Sequence, residues 1–149
     1  PDMAYFRFAD AITQGRPIEV YVQQGHDGRM QRDFTYIDDI VDGVLRVLDK
    51  PPRATAGQAP WHIFNIGREE PVALDEFIGA LERHLGRRAQ RVNKPMPPGD
   101  VPATWADVSA LDAWVGFRPT VSLDVGLERF VRWYRQSWAT RFLQQSVAA

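Results

Sequence analysis

The sequence contains no cysteine, and this absence removes several kinds of chemistry at once. Disulfides, thiolate metal sites and cysteine nucleophiles are excluded, and a cysteine-free chain suits a reducing compartment, so we expect a cytoplasmic location. No apolar run approaches the ~20 residues that cross a bilayer, so no membrane partner is expected. Lysine is also scarce: Lys50 and Lys94 are the two candidates for a catalytic lysine.

Charge of one sign is not in excess either. Eighteen Lys and Arg residues face 19 Asp and Glu residues, which gives a formal net charge of −1. Nucleic acid is therefore not expected as a partner. The 149 residues are 44% hydrophobic and 25% charged, a globular composition whose length fits one domain. Because the chain starts at Pro1 without an initiator methionine, we expect it to be a fragment.

Apolar residues recur at helical spacing in five segments. Glycine or proline ends four of them, at Gly15, Pro51-Pro52, Gly86 and Gly116, and Asp38, Asp107 and Ser122 are suitable N-caps. The predicted buried faces are Tyr5, Phe8, Ala9 and Ile12; Ile37, Val41, Val44, Leu45 and Leu48; Leu74, Phe77, Ile78, Leu81 and Leu85; Val108, Leu111 and Trp114; and Leu123, Leu127, Phe130, Val131, Tyr134 and Trp138.

Extended segments are fewer and shorter than the helices. Residues 18–22 alternate like a strand, residues 34–36 are predicted to be extended, and residues 61–66 form an apolar run typical of a buried parallel strand. A weak strand is predicted at 89–92, and the four prolines within 95–102 predict irregular structure. The alternation predicts an α/β fold, mostly helical, with a few short strands. So few strands leave edges exposed, which predicts a missing partner segment.

Several catalytic and cofactor motifs are absent. The nearest approach to a dinucleotide fingerprint is Gly25-His26-Asp27-Gly28, but Gln31 replaces the third glycine and an extended segment follows, so a turn is favoured. The three histidines have no metal-ligand spacing. Asp38 and Asp39 are adjacent and point apart, so an acid–base pair is not expected. We therefore predict no catalytic, cofactor-binding or metal-binding residues in this chain.

Two residues are better candidates for binding. Arg32 follows a glycine-containing turn, and its planar guanidinium suits phosphate, although an arginine followed by Asp33 is by itself typical of a solvated ion pair. Asp100 follows Pro97-Pro98-Gly99, where a carboxylate can either accept two ribose hydroxyls or cap the turn. The residues alone leave both alternatives open.

Read together, several segments resemble one family. The string Arg32 to Asp39 resembles the arginine-bearing stretch of extended short-chain dehydrogenases/reductases that act on nucleotide sugars. The similarity covers nearly the whole chain in one order and, within the family, is greatest to UDP-glucuronate 4-epimerases. The other matching segments are Pro1 to Ala4, Phe64 to Gly67, Pro98 to Pro102, Ala106-Asp107, and Gly116 to Pro119 with Leu123 and Gly126.

The resemblance implies roles for particular residues. Arg32 matches the arginine that binds the pyrophosphate of the sugar nucleotide, and Asp100 matches the residue that holds the ribose hydroxyls. Glu19 and Tyr21 match positions whose main chain contacts the base, with the Tyr21 ring also packing near it. Together these assignments predict that one nucleotide contacts Arg32 and Asp100. Some relatives carry a second phosphate arginine where this chain has Met96 or Pro97.

The family's redox machinery has no counterpart here. Its Tyr-x-x-x-Lys pair is missing, because Ala9, Gly25, Ile40 and Trp138 stand four residues after the four tyrosines. The resemblance implies that residues 1–149 are the C-terminal substrate-binding domain, and that the NAD-binding Rossmann half with its glycine-rich turn lies upstream. In the intact enzyme NAD⁺ would remove the hydride from C4 of UDP-glucuronate or a similar UDP-sugar and return it to the opposite face. We expect these residues alone to be inactive, not to bind NAD, and to self-associate, with a homodimer in the intact enzyme.

Two alternatives remain. The first is part of a dehydratase or reductase that uses a dTDP- or GDP-sugar, which the sequence separates poorly from an epimerase because main-chain contacts to a base carry little sequence identity. A non-catalytic interaction module, using its strand edges and five tryptophans, is the alternative from another class.

Overall fold

The computed structural model describes residues 3–22, 30–54, 57 and 59–139. Helices and short strands are mixed, and the α/β class predicted from the sequence is confirmed. The helices are α1 (Ala4–Gln14), α2 (Ile37–Asp49), α3 (Leu74–Leu85), α4 (Ser109–Val115) and α5 (Leu123–Trp133), which continues into a π-helix (Tyr134–Ala139). The strands are β1 (Ile18–Val22), β2 (Gln31–Asp33), β3 (Pro71–Ala73), β4 (Arg91–Pro95) and β5 (Ala103–Thr104).

The chain forms two compact units, each made of separate stretches of sequence. Unit 1 comprises residues 1–30, 73–100 and 123–149, and unit 2 comprises residues 31–72 and 101–122. Unit 1 therefore contains α1, β1, α3, β4 and α5, and unit 2 contains β2, α2, β5, α4 and the first two residues of β3.

Unit 1 is built on apolar helix faces. The predicted face of α1 is buried at Phe8, Ala9 and Ile12, whereas Tyr5 lies at its edge and packs against Phe130 with ring centroids 5.1 Å apart. The other buried apolar side chains of unit 1 come mainly from α3, α5 and the π-helix, and they are Phe6, Ala11, Ile18, Val20, Met30, Phe77, Ile78, Ala80, Leu81, Leu127, Val131 and Tyr134. This apolar contact supplies most of the unit's stabilisation.

The helix ends predicted from glycine are confirmed. Gly15, Gly86 and Gly116 follow α1, α3 and α4 with φ of 71°, 66° and 63°. This left-handed conformation costs glycine little, and it lets the next amides close the last helical turn. α2 ends at Asp49, as Pro51-Pro52 predicts.

The strands of unit 1 form a parallel pair. β1 pairs with β4 in the register Ile18 with Arg91 through Val22 with Pro95. The strand predicted at 89–92 thus exists but runs from Arg91 to Pro95, because these five residues pair with the five residues of β1.

Unit 2 contains a small sheet in the order β3-β2-β5, in which β2 runs parallel to β5. The extended segment predicted at 34–36 is displaced, since the paired residues are Gln31–Asp33. The N-cap predicted at Asp38 is wrong, because α2 begins at Ile37 with Tyr36 as its N-cap and no side-chain cap bond. Asp38 therefore lies inside the first turn, where its negative charge favours the helix dipole.

Two predictions about apolar segments of unit 2 are wrong. Residues 61–66 are not a strand, because no strand among the described residues pairs with them, and the Trp61 and Ile63 side chains are 66% and 77% exposed. The predicted buried face of α2 is also exposed. The helix packs instead through Gly43, where an added Cβ would lie 3.1 Å from the Phe117 ring, and the Arg46 guanidinium lies over the same ring.

Candidate functional site

Arg32 is held by main-chain carbonyls at the centre of the small sheet of unit 2. Its Nη1 donates to the carbonyl of Gln31 at 2.8 Å and, less closely, to the carbonyl of Pro102 at 3.4 Å. The backbone beneath it is fixed by pairing of Arg32 with Thr104 and by the Gln31 N–H, which donates to Pro102 at 2.9 Å. The side chain is half-buried. A permanently charged, planar donor is thus presented from a paired strand, and such a donor suits phosphate.

Along β1, the main-chain N–H and C=O groups of alternate residues point toward β4. The Ile18 N–H donates to Gln90, and the Val22 carbonyl accepts from Met96. Because the N–H and C=O of one strand residue point to the same side and successive residues alternate, the polar groups of Glu19 and Tyr21 point away from β4. Within the described residues, β1 has no other strand neighbour. Glu19 and Tyr21, the two positions predicted to contact a base, therefore present their main-chain donors and acceptors at the open edge.

The side chains of these two residues are placed differently. Tyr21 is half-buried, whereas the Glu19 carboxylate is exposed and lies 3.6 Å from the ammonium of Lys94 on the paired strand. An exposed pair at this distance contributes little to stability, about 0–1 kcal/mol. The polar main chain is therefore the distinctive feature of this edge.

Asp100 closes a tight turn at the end of a unit 1 segment. Its N–H donates to the carbonyl of Pro97 at 3.2 Å, and Gly99 has φ of 87°. Pro98 and Gly99 thus fit the two central positions of a type II turn. Asp100 is half-buried. Arg32 belongs to unit 2 and Asp100 to unit 1, and their shared contact with one nucleotide stays a prediction.

Two carboxylates of unit 2 have structural contacts that the sequence did not predict. Asp33, interpreted from sequence as half of a solvated ion pair, accepts hydrogen bonds from three main-chain amides, those of Arg68, Glu69 and Ala106, at 3.0, 3.1 and 3.0 Å. Asp39 is buried and accepts from the amides of Thr120 and Val121 at 3.2 and 2.9 Å. The sequence signal in both cases is an aspartate beside an apolar segment. That signal does not identify the partners, because the donors are main-chain groups 35 to 82 residues away.

The histidines in the described ranges have ordinary packing or hydrogen-bonding roles. His62 packs against the Trp114 ring with centroids 5.0 Å apart, and His84 lies 3.0 Å from the Asp124 carboxylate, which also accepts from Arg83. Hydrogen bonds from Arg83 and His84 lower the pKa of Asp124. His26 and the turn Gly25–Gly28 lie outside the described residues. Among the residues described, no three His, Asp or Glu side chains are grouped closely enough to hold a metal ion.

The described strand-to-helix connections do not fit a dinucleotide pyrophosphate. Such a site needs glycines between a strand and the N-terminus of a helix. β3 runs directly into α3, and the connections from β2 to α2 and from β5 to α4 consist of residues 34–36 and 105–108, which include no glycine. These connections therefore supply no glycine-rich, NAD-binding turn. The helices in the described part of the chain are also too short or too polar to cross a membrane.

Comparison with known proteins identifies relatives over most of the chain. The profile of the NAD dependent epimerase/dehydratase family matches residues 1–67. The chain is 43% identical to a probable UDP-glucuronate 4-epimerase of Rhizobium meliloti (strain 1021) over 93% of its own length, and 45% identical to UDP-glucuronate 4-epimerase 1 of Arabidopsis thaliana over 90%. It spans 43% and 33% of those proteins, less than half of either.

A solved structure has a similar fold. It is the UDP-glucuronic acid 4-epimerase from Bacillus cereus in complex with UDP-glucuronic acid and NAD, matched with a TM-score of 0.78 at 32% identity. The match covers 93% of this chain and 41% of that one. The resemblance inferred from Arg32 to Asp39 and the later segments is thereby confirmed. The chain belongs to the NAD dependent epimerase/dehydratase family and has the mixed α/β fold of its short-chain dehydrogenase/reductase-type epimerases.

Proposed function

We propose that this chain is the nucleotide-binding part of an epimerase that acts on UDP-glucuronate or a similar UDP-sugar. The observation that carries the proposal is the open edge of β1, where the main chain of Glu19 and Tyr21 points away from β4. Uracil presents an N–H donor between two carbonyl acceptors, which matches alternating acceptors and donors along a strand edge. The relatives named as UDP-glucuronate 4-epimerases support the choice of base and sugar.

In this proposal each residue contributes one contact. Tyr21 and Glu19 bind the base through their main chain, the Tyr21 ring packs near it, Arg32 binds the diphosphate, and the Asp100 carboxylate accepts the ribose hydroxyls. The protein binds NAD through residues other than the described strand-to-helix connections of this chain. Residues 1–149 by themselves are then inactive, since they lack the Tyr-x-x-x-Lys pair. The cytoplasmic location stays a prediction.

The diphosphate contact is tested by Arg32→Ala. Loss of a charge-assisted contact costs about 1.5–3 kcal/mol, so calorimetry should record UDP affinity lower by roughly ten- to 150-fold. Arg53→Ala is the matched control, because Arg53 is an exposed arginine of the same unit. Equal UDP affinity in the wild type and Arg32→Ala would overturn the phosphate role.

The base contact is tested at the main chain itself. Proline at position 21 removes one N–H on the open side of β1 and is tolerated at a strand edge. Tyr21→Pro should therefore bind UDP about fivefold or more weakly than Tyr21→Ala, which lacks the same ring but keeps the amide. Identical affinities for the two variants would contradict a main-chain contact.

The ribose contact is tested with a modified ligand. Asp100→Ala should weaken UDP binding by about tenfold and leave the affinity for 2′,3′-dideoxy-UDP unchanged, because that analogue lacks both hydroxyls. A loss that is equal for the two ligands would instead assign Asp100 to the turn alone. Turnover of a panel of UDP-, dTDP- and GDP-sugars by the full-length protein then separates the epimerase from a dehydratase or reductase.

We also propose that residues 1–149 self-associate through the exposed apolar face of α2. Ile37, Val41, Val44 and Leu48 are spaced by four, three and four residues, so an antiparallel second copy presents the same pattern. Light scattering at high concentration should show a dimer that Val44→Glu disrupts and that Val92→Glu, on β4, leaves intact. A monomeric wild type would contradict the proposal.

A further inference from the structure

The carboxylate of Asp33 joins β2 to two loops of unit 2. Oδ1 accepts from the Arg68 amide at 3.0 Å, and Oδ2 accepts from the amides of Glu69 and Ala106 at 3.1 and 3.0 Å. Hydrogen bonds from main-chain amides to a carboxylate are charge-assisted and about twice as strong as neutral ones. Because Ala106 follows β5, this single side chain connects the end of β2 with both loops.

The loop at residues 67–69 is shaped to meet this carboxylate. Glu69 has φ of 62°, the one positive φ at a non-glycine residue among those described. Such a conformation costs energy and persists where surrounding contacts fix it. Successive amides in a bend of this kind form a concave anion-binding nest, and here the anion is the Asp33 side chain. Gly67 has no room for a side chain, since a Cβ would lie 2.7 Å from Oδ2 of Asp33 and 2.5 Å from the Cβ of Ala106.

The same strands carry the guanidinium of Arg32. Arg32 and Asp33 are adjacent on β2, so their side chains point to opposite faces. The carbonyls that receive Arg32 belong to Gln31, on β2, and Pro102, directly before β5. Asp33 fixes β2 and the segment after β5 from the other face. Asp33 thus links, from one face, the two strand segments whose carbonyls receive Arg32 from the other.

We propose that Asp33 is the positioning residue for Arg32, holding the guanidinium in the direction that binds a diphosphate. This inference rests on the proposed role of Arg32. Asp33 does not contact the nucleotide in this arrangement, because its oxygens are directed at the amides of its own unit. Its contribution is to the recognition of phosphate rather than of the nucleoside.

The test compares UDP with uridine, which lacks the phosphates. Asn at position 33 replaces one accepting oxygen with an NH₂ group that faces main-chain donors, so at least one of the three contacts is lost. Asp33→Asn should lower UDP affinity by about tenfold and change uridine affinity by less than about twofold. In an Arg32→Ala background Asp33→Asn should cause no further loss of UDP affinity. Asp49→Asn, an exposed aspartate of the same unit, is the control.

Each other result overturns the inference in a distinguishable way. Equal losses for UDP and uridine, or additive losses with Arg32→Ala, would show a merely structural role for Asp33. No effect of Asp33→Asn beside a strong effect of Arg32→Ala would overturn the inference and leave the proposed function standing. No effect of Arg32→Ala would overturn both. If Asp33→Asn does not fold, Gly67→Ala, which crowds the same carboxylate, should give the same preferential loss of UDP.

Discussion

Leu81 in α3 and Leu48 in α2 both lie on the apolar face of an amphipathic helix, yet their surroundings are opposite. Leu81 is fully buried in unit 1, whereas Leu48 is 70% exposed in unit 2. Helical periodicity identifies an apolar face, but it does not specify what covers that face. In unit 1 the faces of α1, α3 and α5 cover one another. In unit 2 the face of α2 has no such partner among the described residues.

The two units are consequently stabilised by different contacts. The aromatic rings of Phe6, Tyr134 and Trp138 pack edge to face in unit 1, with centroids 4.7 to 5.7 Å from Phe6. In unit 2 the buried carboxylate of Asp39 and the half-buried carboxylate of Asp33 accept five main-chain amides between them. Unit 1 therefore depends on apolar burial, and unit 2 depends more on a few charge-assisted hydrogen bonds.

The largest expected effect is on the free energy of unfolding, and it should distinguish Leu81 from Leu48. Leu81→Ala should lower the free energy of unfolding by about 2–5 kcal/mol, because it leaves a cavity in a packed core. Leu48→Ala removes the same atoms from an exposed position and should change the free energy of unfolding by less than about 0.5 kcal/mol. Urea denaturation monitored by circular dichroism measures both. Comparable losses for the two variants would mean that α2 is covered in solution.

The two wrong predictions about apolar segments both fall in unit 2, although the helix ends there, at Pro51-Pro52 and Gly116, were predicted correctly. In unit 1 helix and strand positions follow from periodicity and from glycine at the helix ends, because the residues that cover each face are in the same unit. In unit 2 the strand predicted at 61–66 and the buried face of α2 were wrong. Both predictions assumed a covering partner that a local pattern cannot supply.

Sequence-based prediction of the candidate site is limited in a similar way. The positions of Glu19 and Tyr21 on a strand, and of Asp100 after a proline turn, follow from local sequence. The three amides at Asp33 do not, since they come from loops 35 to 73 residues downstream. The assignment of Arg32 to phosphate needed the family resemblance, because an arginine–aspartate pair alone is typical of a solvated surface.

Glu82 tests whether unit 1 also depends on a buried charge. Burial alone would raise its pKa, but the Ala89 amide and the guanidinium groups of Arg88 and Arg91 outweigh burial and lower the pKa below its ordinary value. A lowered folded-state pKa stabilises the fold above the unfolded-state pKa, and this stability is lost as pH falls through the folded value. Glu82→Gln should cost about 1.5–3 kcal/mol near neutral pH and progressively less in acid. Urea titrations at several pH values measure the difference, and a difference independent of pH would contradict this account.

Asp39 offers the corresponding test in unit 2. Asp39→Asn keeps the size of the side chain but weakens its acceptance from Thr120 and Val121, so it should cost about 1–3 kcal/mol. Asp49→Asn, at the exposed end of the same helix, should cost less than about 0.5 kcal/mol. Thermal unfolding of the two variants provides the comparison. If both are as stable as the wild type, carboxylate contacts do not hold unit 2 together.

Tyr134 should give the smallest effect, because it adds one polar contact to a core that apolar packing already stabilises. Its hydroxyl donates to the Asp10 carboxylate at 3.1 Å, and burial together with the nearby negative charge raises the pKa of Tyr134 to about 12. A raised folded-state pKa means that the contribution is fully present below the unfolded-state pKa of about 10 and is lost as pH rises through the folded value, so it should be constant between about pH 6 and pH 9. Tyr134→Phe keeps the ring and should cost about 0.5–1.5 kcal/mol across that range. If Tyr134→Phe lost as much stability as Leu81→Ala, unit 1 would depend on polar contacts, as unit 2 does.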